Sequence, residues 1–236
     1  MKKHMGFLAL MPIYILVLSI LFTIGIGGSR AITVISENAP IENRKCVIID
    51  AGHGGEDGGA VSCTGIYESK INLEIAQQLN DLLNLLGIKT KMIRDSDRSV
   101  YTQGDSIAAK KVSDLKERVR IVNNTNNAIL ISIHQNHFPE EKYSGGQVFY
   151  ASTDGSKNLA AILQEKIVNT LNQGSKRQIK QAKNVYILEN IQCTGVLIEC
   201  GFLSNPREET LLRNKSYQKK ICCVIASSLS TYLSNT

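Results

Sequence analysis

Residues 128–134 read AILISIH, a nearly unbroken apolar and β-branched run that ends on His134. Apolar side chains at both odd and even positions leave no polar face for water. The run is therefore read as a strand buried on both sides. Similar short runs lie on either side of it: CVIID (46–50), KTKMI (89–93), QVFYA (147–151), NVYIL (184–188) and GVLIEC (195–200). Segments with helical spacing separate them. Glu68 to Leu86 carries Ile71, Ile75, Leu79, Leu82, Leu83 and Leu86 on one stripe, and Gly87 closes it. Shorter stripes lie over 114–122 (Leu115, Val119, Val122), 159–171 (Ile162, Leu163, Ile167) and 216–233 (Ile221, Val224, Ile225, Leu229). Residues 95–111 read as polar and irregular. Strands that alternate with helices and are apolar throughout predict a mostly parallel sheet covered on both faces. The expected fold is α/β, a three-layer αβα domain with about six strands.

Outside this region the chain changes character. Lys2 and Lys3 precede Gly6–Ile26, which carries no charge and approaches the ~20 residues a helix needs to cross a bilayer. Basic residues before an apolar segment keep the start inside and send the rest out. Residues 1–26 are expected to be an uncleaved anchor or a cleaved signal, and either exports the body. Residues 27–44 read as a linker, and 45–236 as the folded domain. The formal net charge of +6 would suggest nucleic acid in a cytosolic protein. For an exported one the expected partners are anionic wall polymers or lipid headgroups, not nucleic acid, with a merely solvated surface as the plainer reading. Lys110, Lys111, Lys116, Arg118 and Arg120 form one basic cluster, and Lys176, Arg177, Lys180 and Lys183 another. None of the six cysteines has C-x-x-C spacing, so a thiolate metal site is not expected. They are read as mostly free thiols, with Cys46 and Cys200 in the core and Cys222 and Cys223 on different faces of one helix.

In open α/β sheets ligands sit beyond the carboxyl ends of the strands. His53 follows the strand 46–50, His134 closes 128–133, Glu199 lies near the end of 195–200, and Glu68 opens a helix on the loop side. Each alone has a plainer reading: a surface or capping histidine, a buried salt bridge at Glu199, an ordinary helix-start acid at Glu68. Together they predict one cluster. Two imidazoles and a carboxylate make a catalytic zinc set with a position open for water. A second carboxylate, free of metal, can move the proton of that water. Glycines 52, 54 and 55 around His53 allow a tight turn. His137, on the next loop, reads as surface or substrate-side.

The motifs DAGHGGEDGGA (50–60), Glu68 at a helix start, SIHQN (132–136) and LIECGFLSNPRE (197–208) resemble the zinc-dependent N-acetylmuramoyl-L-alanine amidase family of the amidase-3 type, over residues 46–233. KVSDLKERVRIVNN (111–124), SGGQVFY (144–150), KRQIKQAKNVYILEN (176–190) and FLSNPREETLLRNKSYQKK (202–220) look most like its spore-cortex members. The resemblance implies a Zn2+ held by His53, Glu68 and His134, with Glu199 as catalytic base and acid. The implied reaction cuts the amide between N-acetylmuramic acid and the L-alanine of the stem peptide in peptidoglycan. In such cortex enzymes a separate muramic acid deacetylase then helps form muramic-δ-lactam, which marks the cortex for germination. The implied location is the forespore outer face or intermembrane space. With no wall-binding repeat present, reach to substrate falls to the domain, the membrane tether or an activating membrane-associated partner. Asn136 and Arg177 are the expected substrate contacts, since arginine grips carboxylates in a bidentate fork. Glu56, Ser69, His137 and Thr194 depart from the family pattern, and Glu56 and His137 could compete as ligands. A catalytically silent wall-binding protein of the same fold is the alternative, and a zinc deacetylase or peptidase is a third reading.

Overall fold

The computed structural model describes residues 44–236; the export segment and the linker up to residue 43 lie outside the described residues. Six strands form one sheet in the order β2-β1-β3-β6-β4-β5. They are β1 (Cys46–Ala51), β2 (Thr90–Met92), β3 (Ala128–Asn136), β4 (Gln147–Tyr150), β5 (Lys180–Gln181) and β6 (Thr194–Phe202). β2, β1, β3 and β6 are mutually parallel, β4 runs antiparallel to β6, and β5 runs parallel to β4. The helices are α1 (Glu68–Leu85), α2 (Ile107–Asn123), α3 (Ser156–Thr170), α4 (Tyr186–Asn190), α5 (Pro206–Leu212) and α6 (Lys215–Ser234).

Alternation along the strands divides the core in two. Val47, Ile49, Ile129, Ile131, Ile133, Val196 and Ile198 pack against α1, α3 and α6. Cys46, Ile48, Leu130 and Leu197 face α2 and α4. The sheet is thus covered on both sides, as its uninterrupted apolar strands require. Among the described residues no helix is long and apolar enough to cross a membrane. All six cysteines are free; Cys46, Cys200 and Cys222 are buried, while Cys223 is exposed.

Three expectations are corrected. NVYIL is not a strand: its apolar residues pack as part of α4, with Ile187, Leu188 and Ile191 inward. Four apolar residues after Asn184 do not distinguish strand from helix by period alone. Asn184 takes a left-handed conformation (φ 61°) and donates its N–H to the side chain of Glu189, which starts the turn. The strand at that edge is instead the two-residue β5. Second, α2 begins at Ile107, not near 114. Its first turns are exposed and lack an apolar stripe, so capping starts them: the Ser106 hydroxyl accepts from Ala109 N–H. Third, the basic cluster on α2 is not a free cationic face. Arg118 is buried against Asp50 and Asp114, Lys110 pairs with Glu56, Lys111 with Asp57 and Arg120 with Glu117.

Candidate metal centre and active site

Three pieces of chain bring three donor side chains together past the carboxyl ends of β1 and β3. β1 stops at Ala51, and Gly52 N–H bonds to Ile133 O, which ties the turn to β3. His53 follows in the left-handed region (φ 61°), a strained setting for a residue with a Cβ. Two buried arginines hold that turn by its carbonyls. Arg118 donates to Ala51 O and His53 O, and Arg94 donates to Ala51 O, Gly52 O and Ser69 O. Glu68 is the first residue of α1 and almost fully buried. His134 extends from β3 on the sheet face that Asp50 and Ser132 share.

The ligand-type atoms of His53, Glu68 and His134 all lie within 4.8 Å of one another. His53 Nε2 is 3.2 Å from Glu68 Oε2, and His134 Nδ1 is 2.8 Å from Glu68 Oε1. Asp57 supplies the partner for the other nitrogen of His53, at 2.9 Å from Nδ1. A carboxylate only accepts, so Asp57 places the ring proton on Nδ1. The Nε2 lone pair then faces Glu68 Oε2, acceptor against acceptor, and a cation or proton must lie between them. Without a metal the proton does so: burial opposes a charged His53, but Glu68 and then Asp57 outweigh it and raise its pKa. Burial likewise pushes Glu68 up, yet hydrogen bonds from His134 and His53 hold it well below the usual carboxylate range. Two nitrogen donors and one carboxylate suit zinc.

Close backbone approach shapes the pocket. A Cβ on Gly52 would sit 2.2 Å from the His134 ring, and one on Gly59 would sit 2.7 Å from Glu68 Oε2 and His53 Cδ2. Only glycine leaves room at either place. Glu199 stands in β6 in register with His134, so both side chains project from the same face of the sheet. Its Oε2 is buried without a hydrogen-bond partner. Burial is the main cause that pushes its pKa up to about 7, with Glu68 adding to it against the pull of the two histidines. A carboxylate poised there can take up and return a proton near neutral pH.

The four residues singled out by sequence therefore converge. Glu56 and His137 do not join them: Glu56 pairs with Lys110 in solvent and His137 is exposed. Asn136 ends β3, and its carbonyl accepts from Leu203 N–H. Arg177 donates from Nε to Ser144 O (2.8 Å) and from Nη1 to Gln147 Oε1 (3.3 Å), and its guanidinium covers the Phe202 ring at 4.8 Å. Sequence reasoning missed Asp57, Asn72, Arg94 and Gln135. Asp57 alone had a signal, four residues after His53 within the glycine-rich turn.

Residues 47–231 match the family model described as N-acetylmuramoyl-L-alanine amidase, Amidase_3. The chain belongs to this amidase family. It is 35% identical over 190 residues to the germination-specific N-acetylmuramoyl-L-alanine amidase of Bacillus subtilis strain 168, covering 80% of this chain and 79% of that one. Among solved structures it is similar to the CwlD amidase of Clostridioides difficile in complex with the GerS lipoprotein (TM-score 0.78, 36% identity, 82% of this chain and 100% of that one). An N-acetylmuramoyl-L-alanine amidase from Clostridium difficile 630 superposes with TM-score 0.72 at 32% identity, over 82% of this chain and 99% of that one. The amidase is thus a peptidoglycan hydrolase, and the converged cluster lies inside the matched region.

Proposed function

We propose that the enzyme is a zinc amidase in which His53, Glu68 and His134 hold the metal and Glu199 moves the proton. The carrying observation is the convergence of two imidazoles and a buried carboxylate opposite a second carboxylate with an unpartnered buried oxygen. Zinc bound there supplies a Lewis acid and brings water toward a pKa of ~7. Glu199 accepts the proton of the attacking water as oxygen adds to the lactyl carbonyl of N-acetylmuramic acid. It then returns that proton to the L-alanine nitrogen as the C–N bond breaks. The products are the muramyl carboxylic acid and a stem peptide with a free amine. Asp57 keeps the His53 ring in one tautomer throughout. Arg177, anchored from Nε to Ser144 O and from Nη1 to Gln147 Oε1, would offer its remaining N–H groups to a stem-peptide carboxylate, and Asn136 lies two residues from His134 on the same strand.

The similarity to a germination-specific amidase supports a role in spore-cortex maturation, with the product passing to a muramic acid deacetylase on the way to muramic-δ-lactam. Residues 1–26 would export the catalytic domain 45–236 and hold or release it at the forespore outer face or in the intermembrane space. The solved complex of CwlD with a lipoprotein supports a membrane-associated activating partner. The test is muropeptide analysis after incubating pure protein with cortex peptidoglycan and zinc. Release of free stem peptides is expected. Glu199→Gln is expected to keep fold and zinc while losing about 10²–10⁴-fold in turnover. Wild-type turnover in that variant removes Glu199 from its role. Binding without release supports the silent wall-binding reading, and different products support a deacetylase or peptidase.

A further inference from the structure

Asn72 is completely buried one turn after Glu68 on α1. A buried side-chain amide needs its hydrogen-bonding groups met, and the partners of this one are informative. Asn72 Nδ2 donates to Glu68 Oε1 (3.1 Å) and to Gly52 O (3.2 Å), and Oδ1 accepts from Gln135 Nε2 (3.1 Å). Those partners are Glu68 itself, the residue before His53 and the residue after His134. One amide therefore bonds to all three segments that carry the cluster. Gln135 adds a second tie, since its backbone N–H also donates to Glu68 Oε1 at 3.1 Å. The other carboxylate oxygen, Oε2, accepts from Ala60 N–H at 3.1 Å. Each oxygen of Glu68 is thus anchored by protein donors, and the plane of its carboxylate is set before any ligand arrives.

We infer that Asn72, seconded by Gln135, is a positioning residue that orients Glu68 and joins the three ligand-bearing segments for metal binding. This rests on the metal-site reading above. Only an amide serves at this position. Asp in place of Asn72 would set an acceptor against Glu68 Oε1 and Gly52 O, while Leu, of nearly the same shape, would remove a donor from Glu68 Oε1 and from Gly52 O, which keeps Arg94, and take the Oδ1 acceptor from Gln135 Nε2. Outer partners of metal ligands are worth about 10–100-fold in metal affinity, and that is the size of effect expected.

The measurement is the zinc dissociation constant by competition with a fluorescent chelator. It is made on wild type, Asn72→Asp, Asn72→Leu, Gln135→Leu, and Leu229→Ala as a control that loosens the core on α6 away from the site. Both Asn72 variants are expected to bind zinc about 10–100-fold more weakly, and Gln135→Leu to shift the same way by less. Leu229→Ala is expected to lose melting temperature and keep its zinc affinity. An unchanged zinc affinity in a folded Asn72 variant overturns the inference. So does an equal loss in Leu229→Ala, because the effect would then be general loosening. If neither Asn72 variant folds, Gln135→Leu decides by the same criteria. Failure of wild type to bind zinc at any concentration sinks the metal-site reading itself, a result visible before any variant is examined.

Discussion

Arg118 lends itself to a quantitative test of how the fold holds the turn that carries His53. Its side chain is 3% exposed and donates to Asp50 Oδ1 (2.5 Å), Ala51 O (3.0 Å), His53 O (2.7 Å) and Asp114 Oδ2 (2.6 Å). Asp50 is 2% exposed, and its other oxygen accepts only from Ser132 Oγ (2.7 Å). Arg118→Met fills most of the stem volume, so the main loss is the charge partner of Asp50. Breaking a buried pair by removing one partner costs about 3–5 kcal/mol. Ala51 O keeps Arg94 Nε at 2.8 Å, which limits the further loss from unmet carbonyls. For a domain of this size each kcal/mol moves Tm by about 2–4 °C, so the drop should be roughly 6–20 °C by circular dichroism. The pH dependence adds an independent check. Burial pushes Asp50 up, but Arg118 outweighs it and holds its pKa below the ordinary value. Its contribution to stability is therefore present above the unfolded pKa of ~3.9 and lost as pH falls through the lower folded value. In the variant burial is opposed only by His134 and the Ser132 hydroxyl, so the Asp50 pKa rises and the folded state takes up a proton more readily. The gap between wild type and variant should then narrow as pH falls from about 7 toward 4. Asp50→Asn added to Arg118→Met should recover stability. A loss below about 1 kcal/mol, the range of exposed pairs, or a gap independent of pH, would refute the reasoning.

Other expectations are simpler to state. Gly52→Ala drives a Cβ to 2.2 Å from the His134 ring and should abolish both zinc retention and turnover, read by metal content and product release; an active, zinc-loaded variant would show that the ring has room to move. Asp57→Asn removes the carboxylate from His53 Nδ1 and should weaken zinc by about 10–100-fold in a chelator titration, with unchanged affinity counting against that role. Chelation should lower Tm and zinc should restore it: metal at 100 times its Kd contributes about 2.7 kcal/mol, or roughly 5–11 °C. Glu199→Gln should keep that shift, and its loss would make Glu199 a ligand instead of a proton carrier.

Much of the fold was legible because burial on both faces leaves a mark in composition. β1, β3 and β6 carry apolar residues on both faces through most of their length, and the long stripe of α1 marks itself by period. NVYIL failed because a run of four apolar residues satisfies either structure until Asn184 and the packing of Ile187 and Leu188 choose one. The first turns of α2 failed because nothing apolar faces the core there. The residues that support the site were hidden for a different reason. Asn72, Gln135, Arg94 and Arg118 are polar residues in a helix, a strand end and a loop, where polarity ordinarily means solvent. Their partners lie far off in the chain: Gln135 is 63 residues from Asn72, and Arg118 is 68 from Asp50.

By itself the sequence determined the layered α/β fold and pointed to the edge where chemistry collects and to His53, Glu68, His134 and Glu199 as its candidate residues. Each depends on local pattern: apolar runs, helical period, and chemically reactive residues placed where strands end. Only the tertiary structure decided how those side chains are aimed. It set the Nδ1 proton of His53 through Asp57, anchored both oxygens of Glu68, buried Arg94 and Arg118 under the turn that carries His53, and left Glu199 Oε2 unpartnered. The physical reason is that orientation comes from hydrogen bonds between segments distant in sequence, and a buried polar side chain looks no different in a sequence from an exposed one.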